Sequence, residues 1–308
     1  EAVLFLPAGA VPPAGPAAAA ARPPGLLRGH AWEQLELPWR ARAAGCRAAL
    51  HLANTAPLLG GPHVLVLHDV LPLTHPHWFA PGFARAYRRL QRAAARRAAA
   101  VVTVSAWARA EIERALGVPG GRIRVVAQGI EPFDEPAPPA EVRRVRRRWR
   151  LPDRFLLAVG GADPRKNVGF LLEVLARWRA RDGQAPALVV VGDPAPRVHA
   201  PARFPPGALR AAGHVLFLGR VADDELRALY TAAAALCFPS HAEGFGRPPL
   251  PLLGAIAAMV AFGDGATMDD AIRRIATAAY DHFSRLAGAT PYGTRVPPEM
   301  VPRGAARR

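Results

Sequence analysis

The chain has 308 residues, 51% of them hydrophobic, and 40 Lys and Arg against 24 Asp and Glu give a formal net charge of +16. This is length enough for two domains with separate cores. Two cysteines exclude a disulfide framework, and the uncharged run at residues 248–262 falls short of the ~20 apolar residues that a membrane span needs.

The charge alone attracts nucleic acid, anionic lipid and nucleotide phosphate alike, and solvated arginine faces are the plain alternative. No secretory signal precedes the first strand-like run, "VLFL" at 3–6, so a reducing, cytoplasmic setting with at most surface contact to a membrane is expected. Further along, short β-branched or Leu-rich runs alternate with helical periods. "HVLVLH" precedes a helix over 81–98, "AVVTV" one over 107–116, "FLLAVG" one over 168–180, and "ALVVVG" and "HVLFLG" precede one over 223–235. Continuous apolar strands separated by helices predict parallel sheets covered on both faces, the α/β class with two Rossmann-like domains.

Proline and then charge crowd "EPFDEPAPPAEVRRVRRRWRLPD", which sets a hinge near 132–153 and divides the chain into domains 1–136 and 137–308. "GDPAPRVHAPARFPPGALRAAG" reads as an insertion between two strands. In the helix over 83–98, Phe83, Tyr87, Leu90 and Ala94 form an apolar stripe, with Arg85, Arg88, Arg89, Arg92 and Arg96 mostly on the other side. Those arginines are either an ordinary solvated face or a contact for an anionic membrane or acceptor. Of the two cysteines, Cys237 in "AALCFPS" belongs to a buried strand.

Two stretches carry chemistry. "GGADPRKN" follows the strand "FLLAVG" and opens a helix, so Arg165, Lys166 and helix N-terminal amides converge at the carboxyl edge of a sheet, a setting that attracts phosphate. Lys166 is the sole lysine of the chain. An ammonium on a flexible stem can follow a departing diphosphate where a planar guanidinium is fixed. In "FPSHAEGFGRPPL", Gly244 and Gly246 flank Phe245 so that amides can approach an anion, and Glu243 can accept hydrogen bonds from hydroxyls. The ten histidines are scattered without metal-ligand spacing, and neither a metal nor a cofactor is expected.

In order along the chain, "WEQLELP", "LHLANTAPL", "VLVLHDVLPLTHPHWF", "VTVSAWARAEI", "IRVVAQGI", "LLAVGGADPRKN", "HVLFLGRVADDELRALY" and "CFPSHAEGFGRPPL" resemble the retaining nucleotide-sugar glycosyltransferases of the GT-B class, glycosyl transferases group 1 or family 4. The resemblance implies two Rossmann-like domains around a cleft and a nucleoside-diphosphate sugar as donor substrate, held by the C-terminal domain. It places Arg165 and Lys166 on the diphosphate, the amides of Gly244, Phe245 and Gly246 on phosphate, and Glu243 on the sugar hydroxyls. Loops around Gly219 and Val221 receive the base. His68 of "HD" is implied at the end of an N-domain strand, across the cleft near the anomeric carbon, and a glycan or lipid-linked molecule is the implied acceptor.

The sequence also departs from the family. The family's E-x7-E pattern has Pro251 where its second carboxylate belongs, residues beyond 251 lose the usual G-x-P-V continuation, and the N-terminal domain is expected to be truncated, without the family's first strand and Gly-rich acceptor loop. The resulting expectation is a hexosyltransferase, mannosyltransferase-like, whose competence Pro251 brings into question. The rival readings are an inactive remnant acting as a binding or interaction protein, and a basic nucleic-acid-binding protein. The latter has no recognisable module or stacking platform behind it, and nucleic acid is not expected as a partner.

Overall fold

Among the described residues, strands in both halves of the molecule pair in parallel, as continuous apolar runs joined through helices require. The computed structural model describes residues 2–12, 15–127, 136–183, 185–193, 199, 207, 212–244 and 258–261. The chain forms two compact units, 1–128 and 129–308.

The first unit contains β1 (Ala49–His51), β2 (His63–Val66), β3 (Ala100–Thr103) and β4 (Ile123–Val125), in that order across the sheet. Register places Leu65 beside Val101 and Val101 beside Ile123, and all three are buried. Two long helices cover this sheet: α1 (Pro81–Arg97) and α2 (Ala106–Leu116). Helix α2 starts where the Ser105 hydroxyl accepts from the Ala108 amide at 3.0 Å, and ends at Gly117 in the left-handed conformation. The run at 3–6 is not a strand among the described residues. Its backbone instead makes an isolated bridge, Leu4 to Ala21, across the short helical turn Gly15–Ala20.

The inward face of α1 is turned about one position from the apolar stripe read in the sequence. Ala84, Gln91, Ala94 and Ala95 are buried, while Phe83, Tyr87 and Leu90 are half-buried on its flank. Small residues let the helix approach the sheet closely, and the aromatics stack instead on one another, Phe83 on Tyr87 at 4.0 Å and on Phe79 at 5.6 Å. Arg85, Arg88, Arg89, Arg92 and Arg96 are exposed.

The second unit orders its sheet β7-β6-β5-β8-β9, from β5 (Phe155–Val159), β6 (Ala187–Val191), β7 (Val215–Gly219), β8 (Ala235–Phe238) and β9 (Ala258–Ala261). Chain order reverses between β5 and β8, the topological switch point of a Rossmann sheet. Alternate side chains feed two cores. Leu156, Ala158, Leu188 and Val190 pack against Leu171, Leu172 and Leu175 of α4 (Val168–Asp182), after α3 (Pro139–Trp149) has opened the unit. Phe155, Leu157, Val189 and Val191 pack on the other face against Val145 of α3 and against Leu229 and Tyr230 of α5 (Asp223–Ala232). Each fully buried leucine contributes about 1.5–3 kcal/mol, so truncating Leu172 alone removes a large part of a domain's stability.

Residues 139–149 are therefore not part of a hinge. The arginine run "RRVRRRW" forms α3, whose Val145 is buried and whose Arg144 and Arg148 meet the acidic first turn of α5. Arg144 lies 2.6 Å from Asp224, and Arg148 lies 3.0 Å from the buried Glu225. A helix with an apolar inner stripe and a charged partner packs, where proline followed by charge in the sequence suggested a hinge. Cys237 is buried in β8, as the sequence implied, and burial pushes its thiol up to about 12.

Candidate active site

The switch point brings two loops together: residues 160–167, which leave β5, and residues 239–244, which leave β8. Hydrogen bonds among the described residues join them. The His241 amide donates to the Arg165 carbonyl at 2.9 Å, the Asn167 side-chain amide donates to the Pro239 carbonyl at 3.3 Å, and the Lys166 ammonium donates to Glu243 Oε1 at 2.5 Å.

The first loop is shaped by backbone contacts that leave no room for side chains. A Cβ on Gly161, whose φ is +58°, would lie 2.3 Å from the Asp193 carbonyl oxygen, so the turns after β5 and β6 touch directly. Gly160 and Gly161 both donate to the Val191 carbonyl, and the Gly192 amide donates to the Gly219 carbonyl at the end of β7. Three strand ends are thereby tied side by side. The short helical turn Pro164–Lys166 follows, capped by the Asp163 carboxylate, and Asn167 in the left-handed conformation starts α4.

Lys166 sits in a defined seat. Its stem lies over Gly160, where a Cβ would be 2.2 Å from Lys166 Cγ, and its ammonium lies 5.5 Å from the centre of the Phe238 ring. Lys166 and Glu243 are 13% and 19% exposed, which leaves their pair partly shielded from water. Arg165 points elsewhere. Its Nε and Nη2 donate to both oxygens of Asp163, at 2.9 and 2.6 Å to Oδ2, and His199 Nε2 lies 3.5 Å from the same oxygen. Burial pushes the Asp163 carboxyl up, but the Arg165 hydrogen bonds and charge, with the His199 imidazole, more than reverse this and hold it below the ordinary carboxylate value. Each of the two cations thus has its own carboxylate, and the two pairs cancel in charge although the whole chain carries +16.

Of the residues singled out by sequence, Lys166, Glu243 and Arg165 therefore share one sheet edge, with Gly244 next to Glu243. Gly219 closes β7, and Val221 is half-buried between β7 and α5, packed against the core that contains Leu229. Phe245, Gly246 and Pro251 lie outside the described residues. His68 belongs to the first unit, just past β2. Its amide donates to Asn54 Oδ1 at 2.6 Å, and its ring Nε2 is 2.9 Å from the Leu52 carbonyl, which fixes the ring plane. Three residues of the second unit escaped the sequence reading. Asp163 holds Arg165, Asn167 bridges the loops, and Ser240 has a buried hydroxyl with no hydrogen-bond partner among the described residues. The Asp at the start of "DPRKN" was the one available signal, since an Asp two residues before Arg caps such a turn. Among the described residues, no group of His, Cys, Asp and Glu is arranged to hold a metal ion, and no helix is long and apolar enough to cross a membrane.

A parallel sheet with a switch point and two ion pairs at its carboxyl edge define a Rossmann-like α/β unit. Residues 37–133 match Glycosyltransferase Family 4 and residues 141–261 match Glycosyl transferases group 1. The chain belongs to the group 1 glycosyltransferases of GT-B architecture. It is 29% identical over 209 residues to the serotype-specific mannosyltransferase WbdA of Escherichia coli, covering 63% of this chain and 24% of that protein. It is 28% identical over 195 residues to the O-antigen chain mannosyltransferase B of Escherichia coli, covering 63% of this chain and 50% of that protein. The chain thus spans between a quarter and half the length of these relatives. Its fold is similar to that of WaaG, a glycosyltransferase involved in lipopolysaccharide biosynthesis, with a TM-score of 0.61 over 84% of this chain and 74% of that one, at 16% identity.

Proposed function

We propose that the protein transfers a hexose from a nucleoside-diphosphate sugar to a glycan or lipid-linked acceptor, with retention of anomeric configuration, and that mannose is the sugar its relatives favour. The observation that carries this reading is the meeting of Lys166 and Glu243 at the β5/β8 switch point, one group fit for a diphosphate and the other for sugar hydroxyls. In this mechanism Lys166 neutralises charge that develops on the departing diphosphate. One preorganised donor of this kind contributes about 3 kcal/mol to lowering the barrier. Asp163 holds the Arg165 guanidinium in a fixed plane beside it, so the net charge of that pair is zero and Lys166 carries the phosphate role at this edge. Glu243 accepts from the sugar hydroxyls and orients the ring, the amides of Gly244, Phe245 and Gly246 receive phosphate oxygens, and the backbone at Gly219 and Val221 receives the base. His68 is proposed to act on the reacting centre rather than on donor binding.

The test is a reaction. With GDP-mannose and UDP-glucose as donors, release of nucleoside diphosphate and an α-configured hexosyl product, read by proton NMR, are the expected results for an α-linked donor. A β-configured product would remove retention, and failure of both donors to bind, together with UDP, GDP and dTDP, would remove the donor site itself. A second reading, a binding protein without turnover, is favoured by Pro251 in place of the family's second carboxylate. It predicts nucleotide binding with no release of sugar. Peripheral contact with an anionic membrane is also proposed, through the exposed arginines of α1, with cosedimentation on anionic but not neutral vesicles as its test.

A further inference from the structure

The Lys166–Glu243 pair has a consequence for which ligand the site keeps. The Lys166 ammonium donates to Glu243 Oε1 at 2.5 Å, and both groups are largely shielded, so a phosphate oxygen arriving at Lys166 meets the carboxylate as a competitor for the same cation. We propose that Glu243 is an internal counter-ion that diphosphate must displace, and that this exchange makes the site discriminate the sugar donor from the sugar-free nucleoside diphosphate. The inference rests on the donor-site reading above and adds to it a role for Glu243 before any sugar is bound.

A diphosphate that captures Lys166 leaves Glu243 without its cation and beside new negative charge, in a place where water screens poorly. When the ligand carries a sugar, the displaced carboxylate gains hydroxyl donors, and charge-assisted hydrogen bonds replace the lost ion pair. When the ligand is the bare nucleoside diphosphate left after transfer, no such donors arrive. The carboxylate then competes for Lys166 and expels the product. Asp163 does not play this part, because it holds Arg165 through the guanidinium and also caps the turn through the Arg165 amide, which fixes it in place. Glu243 has only the one contact with Lys166 to give up among the hydrogen bonds of the described residues.

Glu243→Gln keeps the shape and removes the charge. Calorimetry on the full chain, with inorganic pyrophosphate, UDP and GDP as sugar-free probes and UDP-glucose and GDP-mannose as donors, is the experiment. The expected result is a sign reversal: about three- to tenfold tighter binding of the sugar-free probes, and unchanged or weaker binding of the donor that binds the parent. The gain for the sugar-free probes is expected to vanish in a Lys166→Met background. Unchanged or weaker binding of the sugar-free probes in Glu243→Gln would overturn the exchange. So would an equal gain in the Lys166→Met background, which would mean plain repulsion by Glu243 rather than competition for the lysine. If Lys166→Met alone leaves pyrophosphate, UDP and GDP affinities at parental values, the donor-site reading fails first, and the exchange falls with it. Thermal midpoints of each variant separate loss of fold from loss of binding.

Discussion

Replacing Gly160 by alanine tests why the chain keeps its single lysine where it does. A Cβ at this position would lie 2.2 Å from Lys166 Cγ and 2.8 Å from Lys166 Cβ and Cδ, against about 3.5–4.0 Å for a relaxed carbon contact. The lysine stem must move by more than about 1 Å, and it is the root of the side chain that moves, so the ammonium leaves its place by Phe238 and Glu243. Gly160 also has φ +146°, a region that costs about 1–3 kcal/mol for a residue with a Cβ. Loss of one charge-assisted contact to phosphate is worth about 1.5–3 kcal/mol, or roughly tenfold to a hundredfold in diphosphate affinity. Gly183→Ala is the control. It too has a positive φ, +73°, but nothing lies within 4 Å of its added Cβ, so it should lower the thermal midpoint without changing affinity. Titration calorimetry and thermal unfolding of both variants distinguish the effects. Parental affinity in Gly160→Ala would refute the seat as the reason for the glycine.

Three further outcomes are expected. Asp163 has a folded-state pKa below its ordinary value, so its contribution to stability is present above about pH 4 and is lost as pH falls through the folded value; Asp163→Asn should lower the thermal midpoint near neutrality and flatten its decline in acid. At about pH 8 a thiol whose pKa is near 12 is almost entirely protonated, so alkylation of the folded protein should stop at the exposed Cys46 and reach Cys237 only after unfolding, as mass spectrometry would read. His68→Ala should reduce turnover much more than donor affinity, and equal losses in kinetics and calorimetry would assign the histidine a structural role instead.

Much of the second unit was legible because its signals are local. Apolar runs bounded by glycine marked β5, β6 and β7, and the spacing from "FLLAVG" to "PRKN" placed Arg165 and Lys166 at a strand-to-helix turn. What was not legible depends on contacts distant in sequence. Lys166 and Glu243 are 77 residues apart, and no periodicity shows that one holds the other. Arg165 carried a phosphate role in the sequence, yet its guanidinium is turned onto Asp163, a choice that a neighbour two residues away makes through geometry rather than charge count. The arginine run of α3 misled for the same reason, since its partners Asp224 and Glu225 lie on α5. In α1 the stripe was read one position off because bulky residues were assigned to the core, whereas closeness to the sheet selected alanines there.

In the proposed function, Lys166 is the cation on which a nucleoside diphosphate rests. Calorimetric titration of UDP, GDP and dTDP into the parent and into Lys166→Ala tests it most directly, with thermal unfolding to confirm that the variant is folded. At least one nucleotide should bind the parent, and its affinity should fall by about tenfold or more in the variant, as loss of a charge-assisted hydrogen bond requires. Equal affinities in the two proteins would contradict the claim and detach the β5/β8 switch point from donor binding.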